Sequence, residues 1–388
     1  MLGKISFKEN RRRYLNLKGI LSRKYAYKGP DIVQIDLTDK CNSHCNVCWL
    51  HSPCVDKDPG RQFDELDYNI LKDFIEEIAF SGTKEIIFSG GGEPFLYSRI
   101  WGVLEHAQKT GLDFRLNTNL TLLDKDGIKR LVSLKNLVSL TASIWAGSAQ
   151  EYCGVHNRSV QDFDKVRGNL KDLNALKHRR LEIKLYAVIS NVNHRALKSV
   201  VDLALKNGCR IVEFGIFDAI PGATDRFLLT GGQLGALQKD FKDLLKHANT
   251  VRIANAGIFL RRISNPLACY GEYDTGQGRI PCYAGWLFLR LRANGDFNSC
   301  LKSHRMPLGN IYRDKFHDIW NGFKQQEFRR KGCSSIRDWA YFGLMGNAHN
   351  DRGCRIMCDN ILLNQNIHKF MRYMFSQSDA EREVCPVK

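Results

Sequence analysis

No apolar run in this sequence approaches the ~20 residues that a membrane-spanning helix requires. The N-terminus, MLGKISFKENRRRYLNLKG, is basic but lacks the apolar stretch of a secretory signal. Both absences point to the cytoplasm, where thiols stay reduced and clustered cysteines serve metals or catalysis rather than disulfides. There is no internal repeat and no low-complexity tract, which sets aside repeat arrays and disordered linkers. Acidic residues are in short supply, 41 against 58 lysines and arginines, for a net charge of +17. That imbalance suits an anionic partner such as nucleic acid, a phosphate-bearing substrate or an acidic protein. The absence of any RNA-binding module disfavours nucleic acid. With 388 residues, 43% hydrophobic and 26% charged, the chain is globular, with one large domain or two ordinary ones.

What the sequence does have is alternation. Six short β-type runs stand out at residues 32–37, 85–89, 112–116, 137–143, 182–189 and 210–217. Helical patterns lie between them. Leu66, Ile70, Leu71, Phe74, Ile75 and Ile78 share one face, with Gly82 as a stop signal, and residues 100–107, 163–176 and 196–205 read similarly. Alternating strands and helices predict βα units on a parallel sheet, six of them, short of the eight of a closed barrel. After about residue 265 the texture changes: helix periodicity fades and turn signals such as Asn294-Gly295-Asp296 appear. The expected organisation is a basic arm over 1–30, a partial barrel over 31–235, a bridging segment over 236–280 and a cysteine-bearing extension with its tail over 281–388.

The chain has 13 cysteines, unevenly spaced. Cys41, Cys45 and Cys48 form C-x3-C-x2-C directly after the first strand, with Cys54 beyond a proline-containing gap. Thiolates are soft ligands suited to zinc or iron–sulfur clusters, and the spacing alone leaves both open. The second strand runs into Gly90, Gly91, Gly92, Glu93 and Pro94. Consecutive glycines permit close backbone approach at the strand end, the edge where ligands gather in parallel α/β folds, and Glu93 puts a carboxylate there.

The two motifs together resemble the radical S-adenosylmethionine (SAM) superfamily, over roughly residues 31–220. The resemblance implies an α/β fold, a partial (β/α)6 barrel, in which Cys41, Cys45 and Cys48 hold a [4Fe–4S] cluster with one iron open to SAM. The Gly90–Pro94 stretch then meets the SAM amino group through Glu93. By the same resemblance Asn117, Thr118 and Asn119 line the cavity, and Ser143, Asn191 and Asn193 contact SAM. Val47 stands where many relatives place an aromatic residue against adenine, and Trp49 follows Cys48.

A second set, from Cys282 to Cys300 and on to Cys354 and Cys358, resembles the C-terminal SPASM/twitch extension of that superfamily, a small α+β unit holding auxiliary clusters. This chain lacks the larger cysteine set of a full SPASM extension. Cys282, Cys300, Cys354 and Cys358 are therefore expected to fill one auxiliary [4Fe–4S] cluster. Cys269, Cys333 and Cys385 are replacements or ligands of a second cluster, or ordinary buried thiols like Cys209. A fully ligated auxiliary cluster suits electron transfer, hence net oxidation by dehydrogenation, decarboxylation or crosslinking. Epimerisation instead needs a hydrogen donor, for which Cys54 and Cys153 are the candidates. Such an enzyme draws its electron from a flavodoxin- or ferredoxin-type partner. Asp218, Pro221, Gly222, Asp225 and Arg226, with Arg261 and Arg262, are expected near the cavity mouth. They favour a polar anionic small molecule, a carbohydrate or nucleotide sugar, over a peptide. The roughly 30 residues before the first strand are too few for a leader-peptide-binding domain.

Overall fold

The structure is a computed structural model that describes residues 7–55, 64–247, 250–264, 280–334, 338–346, 354, 358 and 360–375. The fold is mixed α/β: the parallel sheet of a partial barrel and a C-terminal extension with antiparallel strands. In chain order the first part runs α1 (Phe7–Ser22), β1 (Ile32–Asp36), α2 (Tyr68–Phe80), β2 (Glu85–Ser89), α3 (Ile100–Lys109), β3 (Asp113–Thr118), α4 (Lys125–Ser133), β4 (Leu137–Ser143), α5 (Ala149–His156), α6 (Val160–Leu176), β5 (Glu182–Ile189), α7 (Leu197–Lys206) and β6 (Ile211–Ile216). Then follow α8 (Gly231–His247), β7 (Arg252–Ile253), α9 (Ala256–Ile263), β8 (Phe288–Leu291), β9 (Asp296–Asn298) and β10 (Gly309–Asn310). Among the described residues no helix is long and apolar enough to cross a membrane.

The chain divides into two compact units. The larger comprises Asp36–Leu66 and Ile87–Tyr273. In it β3 pairs parallel with β4, β4 with β5, β5 with β6, and β6 with the short β7, a strand the sequence pattern does not signal. Along β5 the residues Ile183, Leu185, Ala187 and Ile189 are buried, the period-two face of a half-covered strand. Phe88 meets Phe114 edge-on at 5.9 Å, and Phe214, Phe241 and Phe259 close the core under α8 and α9. α6 starts three residues before the apolar pattern does, because the hydroxyl of Ser159 and the carboxylate of Asp162 form a capping box there.

The other unit comprises Met1–Ile35, Asp67–Ile86 and Asp274–Lys388. Here β1 pairs parallel with β8, Ile32 opposite Phe288 through Ile35 opposite Leu291, while β8, β9 and β10 are antiparallel. Asp67 caps α2 by accepting from the backbone of Asn69 and Ile70, and Phe74 packs on Phe297 and Phe316. Arg329 is fully buried, its guanidinium 4.6 Å from the Trp320 ring, donating to the Gly285 carbonyl at 2.7 Å and to Asn321 at 2.9 Å. Burial lowers its pKa to about 9.

Candidate functional site

In the larger unit the turns that follow the strands gather around one loop, residues 37–55, which carries Cys41, Cys45 and Cys48. The loop is fastened by main-chain bonds. The N–H of Gly92 donates to the Thr38 carbonyl at 3.0 Å, and that of Glu93 to the Lys40 carbonyl at 2.8 Å. The glycines make this possible. A Cβ on Gly91 would collide with the Asp39 carboxylate, and one on Gly92 with the Lys40 carbonyl. The close approach foreseen for these glycines is therefore made to the cysteine loop itself.

All three cysteines are half-buried. Burial pushes the Cys41 thiol up to about 12, opposed by backbone N–H groups and reinforced by the charges of Glu93 and Cys48. Cys45 is likewise raised well above the ordinary thiol value, by burial first and then by Cys48 and Cys41. The backbone N–H groups of Leu50 and His51 donate to the Cys48 sulfur at 3.4 and 3.2 Å. Thiols so placed stay protonated unless a positive group stands among them, and a cationic iron–sulfur core is a group that this donor set fits. Among the described residues no three His, Cys, Asp or Glu side chains surround one metal-ion position. A cubic cluster takes one thiolate per iron, so three sulfurs need not share an ion.

Glu93 is 3% exposed. Its carboxylate accepts from the Thr118 hydroxyl at 2.7 Å, the Asn119 N–H at 2.8 Å and the Phe95 N–H at 3.3 Å. Burial raises its pKa to about 7, with these hydrogen bonds opposing the rise. A carboxylate offers about four lone-pair sites, so one is left. Asn119 extends the net: its amide donates to Asn42 at 2.9 Å, and Asn42 donates to Thr121 at 2.8 Å. Asn117 donates to Ser89.

The structure therefore brings Cys41, Cys45, Cys48, Gly90–Glu93, Thr118 and Asn119 into one connected set. Ser143, Asn191 and Asn193 are engaged differently. The Ser143 hydroxyl accepts from the Trp145 indole at 3.0 Å. Asn193 is buried and donates to the carbonyls of Trp145 and Val188. Asn191 donates to the Arg226 carbonyl. Val47 joins Phe217, Ala219 and Phe227 in an apolar group flanked by Cys54, Trp145, Val188 and Leu228. Arg226 donates to the Cys54 sulfur at 2.8 Å. Cys153 lies half-buried on α5, and Cys209 is buried with its sulfur 3.3 Å from the Ile183 carbonyl. Pro221, Gly222 and Asp225 form an exposed turn in which Asp225 accepts from the Gly222 N–H, while Asp218 is half-buried. On α9, Arg261 is exposed and Arg262 buried.

One residue the motifs did not indicate stands beside the cysteines. His156, the last residue of α5, has its Nδ1 3.0 Å from the Cys45 sulfur and its Nε2 3.0 Å from the Trp145 backbone nitrogen. Burial, helped by the Arg158 charge, lowers its pKa to about 3. The helix that carries it was readable: Ser148-Ala149-Gln150-Glu151 is a capping-box signature, and both of its hydrogen bonds are made.

In the other unit Cys282, Cys300, Cys354 and Cys358 all line one cavity of about 20 Å³, with Phe328, Phe342 and Met345 on its apolar walls. Four thiols facing a common apolar space suit a fully ligated cluster. Cys333 packs elsewhere, against Ile20, Tyr283, Trp286, Leu287 and Met371. Cys269 and Cys385 lie outside the described residues.

The family profile for the radical SAM superfamily matches residues 35–216, and that for the SPASM iron–sulfur cluster-binding domain matches residues 282–355. A GTP 3′,8-cyclase of Hydrogenovibrio crunogenus is 26% identical over 191 residues, 47% of this chain and 53% of that protein. The chain thus spans about half the length of this curated relative. Among solved structures, SuiB of Streptococcus suis bound to its precursor peptide SuiA superposes with a TM-score of 0.60 at 13% identity, covering 86% of this chain and 74% of SuiB. Native anSMEcpe with bound AdoMet gives 0.58 at 17%, covering 89% and 97%.

Proposed function

This chain belongs to the radical SAM superfamily and carries a C-terminal SPASM iron–sulfur cluster-binding domain, and on that premise we propose that it oxidises a polar, anionic small molecule, a carbohydrate or nucleotide sugar. Its resident groups are a [4Fe–4S] cluster, SAM and SPASM-type auxiliary iron–sulfur. When bound and reduced by one electron, the cluster and SAM would supply the radical chemistry that removes a hydrogen atom from substrate. Cys41, Cys45 and Cys48 would hold the cluster. Glu93 offers its remaining lone-pair site to the SAM ammonium, a charge-assisted bond. Thr118 and Asn119 keep that carboxylate in place. The apolar group around Val47, Phe217 and Phe227 supplies a dry wall.

The observation that carries the reading is the joining of the cysteine loop to the Gly91–Glu93 turn by main-chain bonds, with Glu93 anchored on Thr118 and Asn119. One auxiliary cluster on Cys282, Cys300, Cys354 and Cys358 would take the electron left on substrate, giving net oxidation. An anionic substrate is supported by the charge of +17 and by a relative whose name specifies GTP. The reductant is a flavodoxin- or ferredoxin-type donor. The test is anaerobic reconstitution with iron and sulfide, then SAM and dithionite. Release of 5′-deoxyadenosine is expected, and zinc in place of iron in the native protein would sink the reading. A second reading, peptide modification, draws on the fold shared with SuiB, solved with a peptide. Deuterium transfer into 5′-deoxyadenosine from labelled nucleotide sugars, but not from peptides, separates the two.

A further inference from the structure

The end of α5 meets the cysteine loop residue by residue. The Asn46 N–H donates to the Val155 carbonyl at 3.0 Å, and the Asn46 amide to the Gly154 carbonyl at 2.6 Å. Asn157, in the left-handed region at φ +52°, donates to Asn46 and to the His44 carbonyl, and Arg158 donates to the Asn42 carbonyl. His156 sits in the middle of this clamp, 2% exposed, its ring 5.0 Å from that of Trp145 and 4.7 Å from that of Tyr152.

The hydrogen-bond pattern assigns its tautomer. The Trp145 N–H points at Nε2, so that nitrogen accepts and carries no proton. The proton is on Nδ1, aimed at the Cys45 sulfur 3.0 Å away. We propose that His156 is a positioning residue that donates a hydrogen bond to the Cys45 thiolate and thereby raises the reduction potential of the cluster that thiolate holds. This rests on the reading of Cys41, Cys45 and Cys48 as cluster ligands. One electron from an external reductant makes the cluster and its thiolates one charge more negative. A donor on the sulfur stabilises that state more than the oxidised one, and hydrogen bonds to sulfur are among the levers that set such potentials. A neutral imidazole does this without adding a charge to the site.

The test is a dithionite titration of reconstituted full-length protein, followed by electron paramagnetic resonance on the signal that SAM perturbs. His156→Phe keeps the aromatic contacts and removes the donor; His156→Gln keeps an N–H. At the wild-type midpoint, the Phe variant should show a reduced-to-oxidised ratio about tenfold lower, equivalent to 59 mV for one electron. The Gln variant should recover part of this, both with wild-type iron content. An unchanged midpoint in an iron-replete Phe variant would overturn the inference. If the Phe variant takes up no iron, wild-type protein grown on ring-15N histidine decides. Pulsed resonance on its reduced cluster should show a 15N coupling, and its absence would equally overturn the inference. Wild-type protein that loads no cluster at all would refute the cluster reading, a result distinct from either.

Discussion

The two cysteine groups differ in their spacing along the chain and in the groups that surround their sulfurs. Cys41, Cys45 and Cys48 are half-buried on a loop, compressed into eight residues, and surrounded by donors: backbone N–H groups on Cys48, an imidazole N–H on Cys45. Cys282 and Cys300 are buried, and with Cys354 and Cys358 they line an apolar cavity walled by Phe328, Phe342 and Met345. A three-thiolate site must leave an edge open and tolerate changing charge, so polar groups ring it. A four-thiolate site can be dry, because no ligand position is left for a reactant. On the proposed function, the contrast assigns chemistry to one arrangement and the holding, or passing, of an electron to the other.

Removing each group in turn breaks the comparison most sharply. Replacing Cys41, Cys45 and Cys48 together by alanine should abolish 5′-deoxyadenosine formation and about half the iron, out of about eight per chain if both clusters are cubes. The Cys354→Ala/Cys358→Ala variant, checked for fold by circular dichroism, should keep 5′-deoxyadenosine formation and lose the oxidised product. Normal product from that folded variant would deny the second site its electron-accepting role, and would turn attention to Cys54 or Cys153 as hydrogen donors.

Next in size is Gly92→Ala. Its Cβ would strike the Lys40 carbonyl, a backbone atom that cannot rotate away. Overpacking of this kind costs about 1–3 kcal/mol. Iron in the first site should fall while iron held by the distal cysteines stays constant. Equal loss from both sites would mean a global rather than a local defect.

Glu93→Gln sharpens the comparison further. The amide turns one acceptor into a donor facing Thr118 or Asn119, an unsatisfied contact costing about 1–3 kcal/mol. SAM affinity, read by equilibrium dialysis, should fall about tenfold with iron content intact. Unchanged affinity would remove Glu93 from the cofactor site and leave it purely an anchor.

The last effect is on pH. The Glu93 pKa is raised to about 7 from the usual 4.5, burial being the cause. The folded state therefore holds this proton more tightly than the unfolded state does. The stability so gained is fully present below 4.5 and lost as pH rises through about 7. Between those values metal-free wild-type protein should show a falling Tm, and Glu93→Gln a flatter one.

Legibility in the sequence followed sequence distance. Strands β2, β4 and β5 are visible as runs of β-branched and apolar residues, and the first cysteine group is visible because its ligands are neighbours in the chain. The expected partial barrel is the fold found. The two-residue β7 is too short to leave a pattern. α5 has few apolar side chains, Tyr152 and Val155 being the buried ones, so periodicity passes over it although its capping box is plain. His156 had no local signal at all: it is 111 residues from Cys45, and only the placement of β4 and α5 brings them together. The distal cysteines, spread from 282 to 358, are legible through resemblance and not through spacing.

The bonds that fasten the cysteine loop to the Gly91–Glu93 turn run from main chain to main chain. On the loop's half of that seam Lys40 enters through its carbonyl, which accepts from Glu93, while its exposed side chain turns away to pair with Glu65. The other half has no such latitude, because Gly91 and Gly92 must stay bare. Mutational drift should thus be lopsided across a contact that is symmetric in space. A saturation library scored for iron retention would tolerate nearly any residue at Lys40 and almost none but glycine at Gly92.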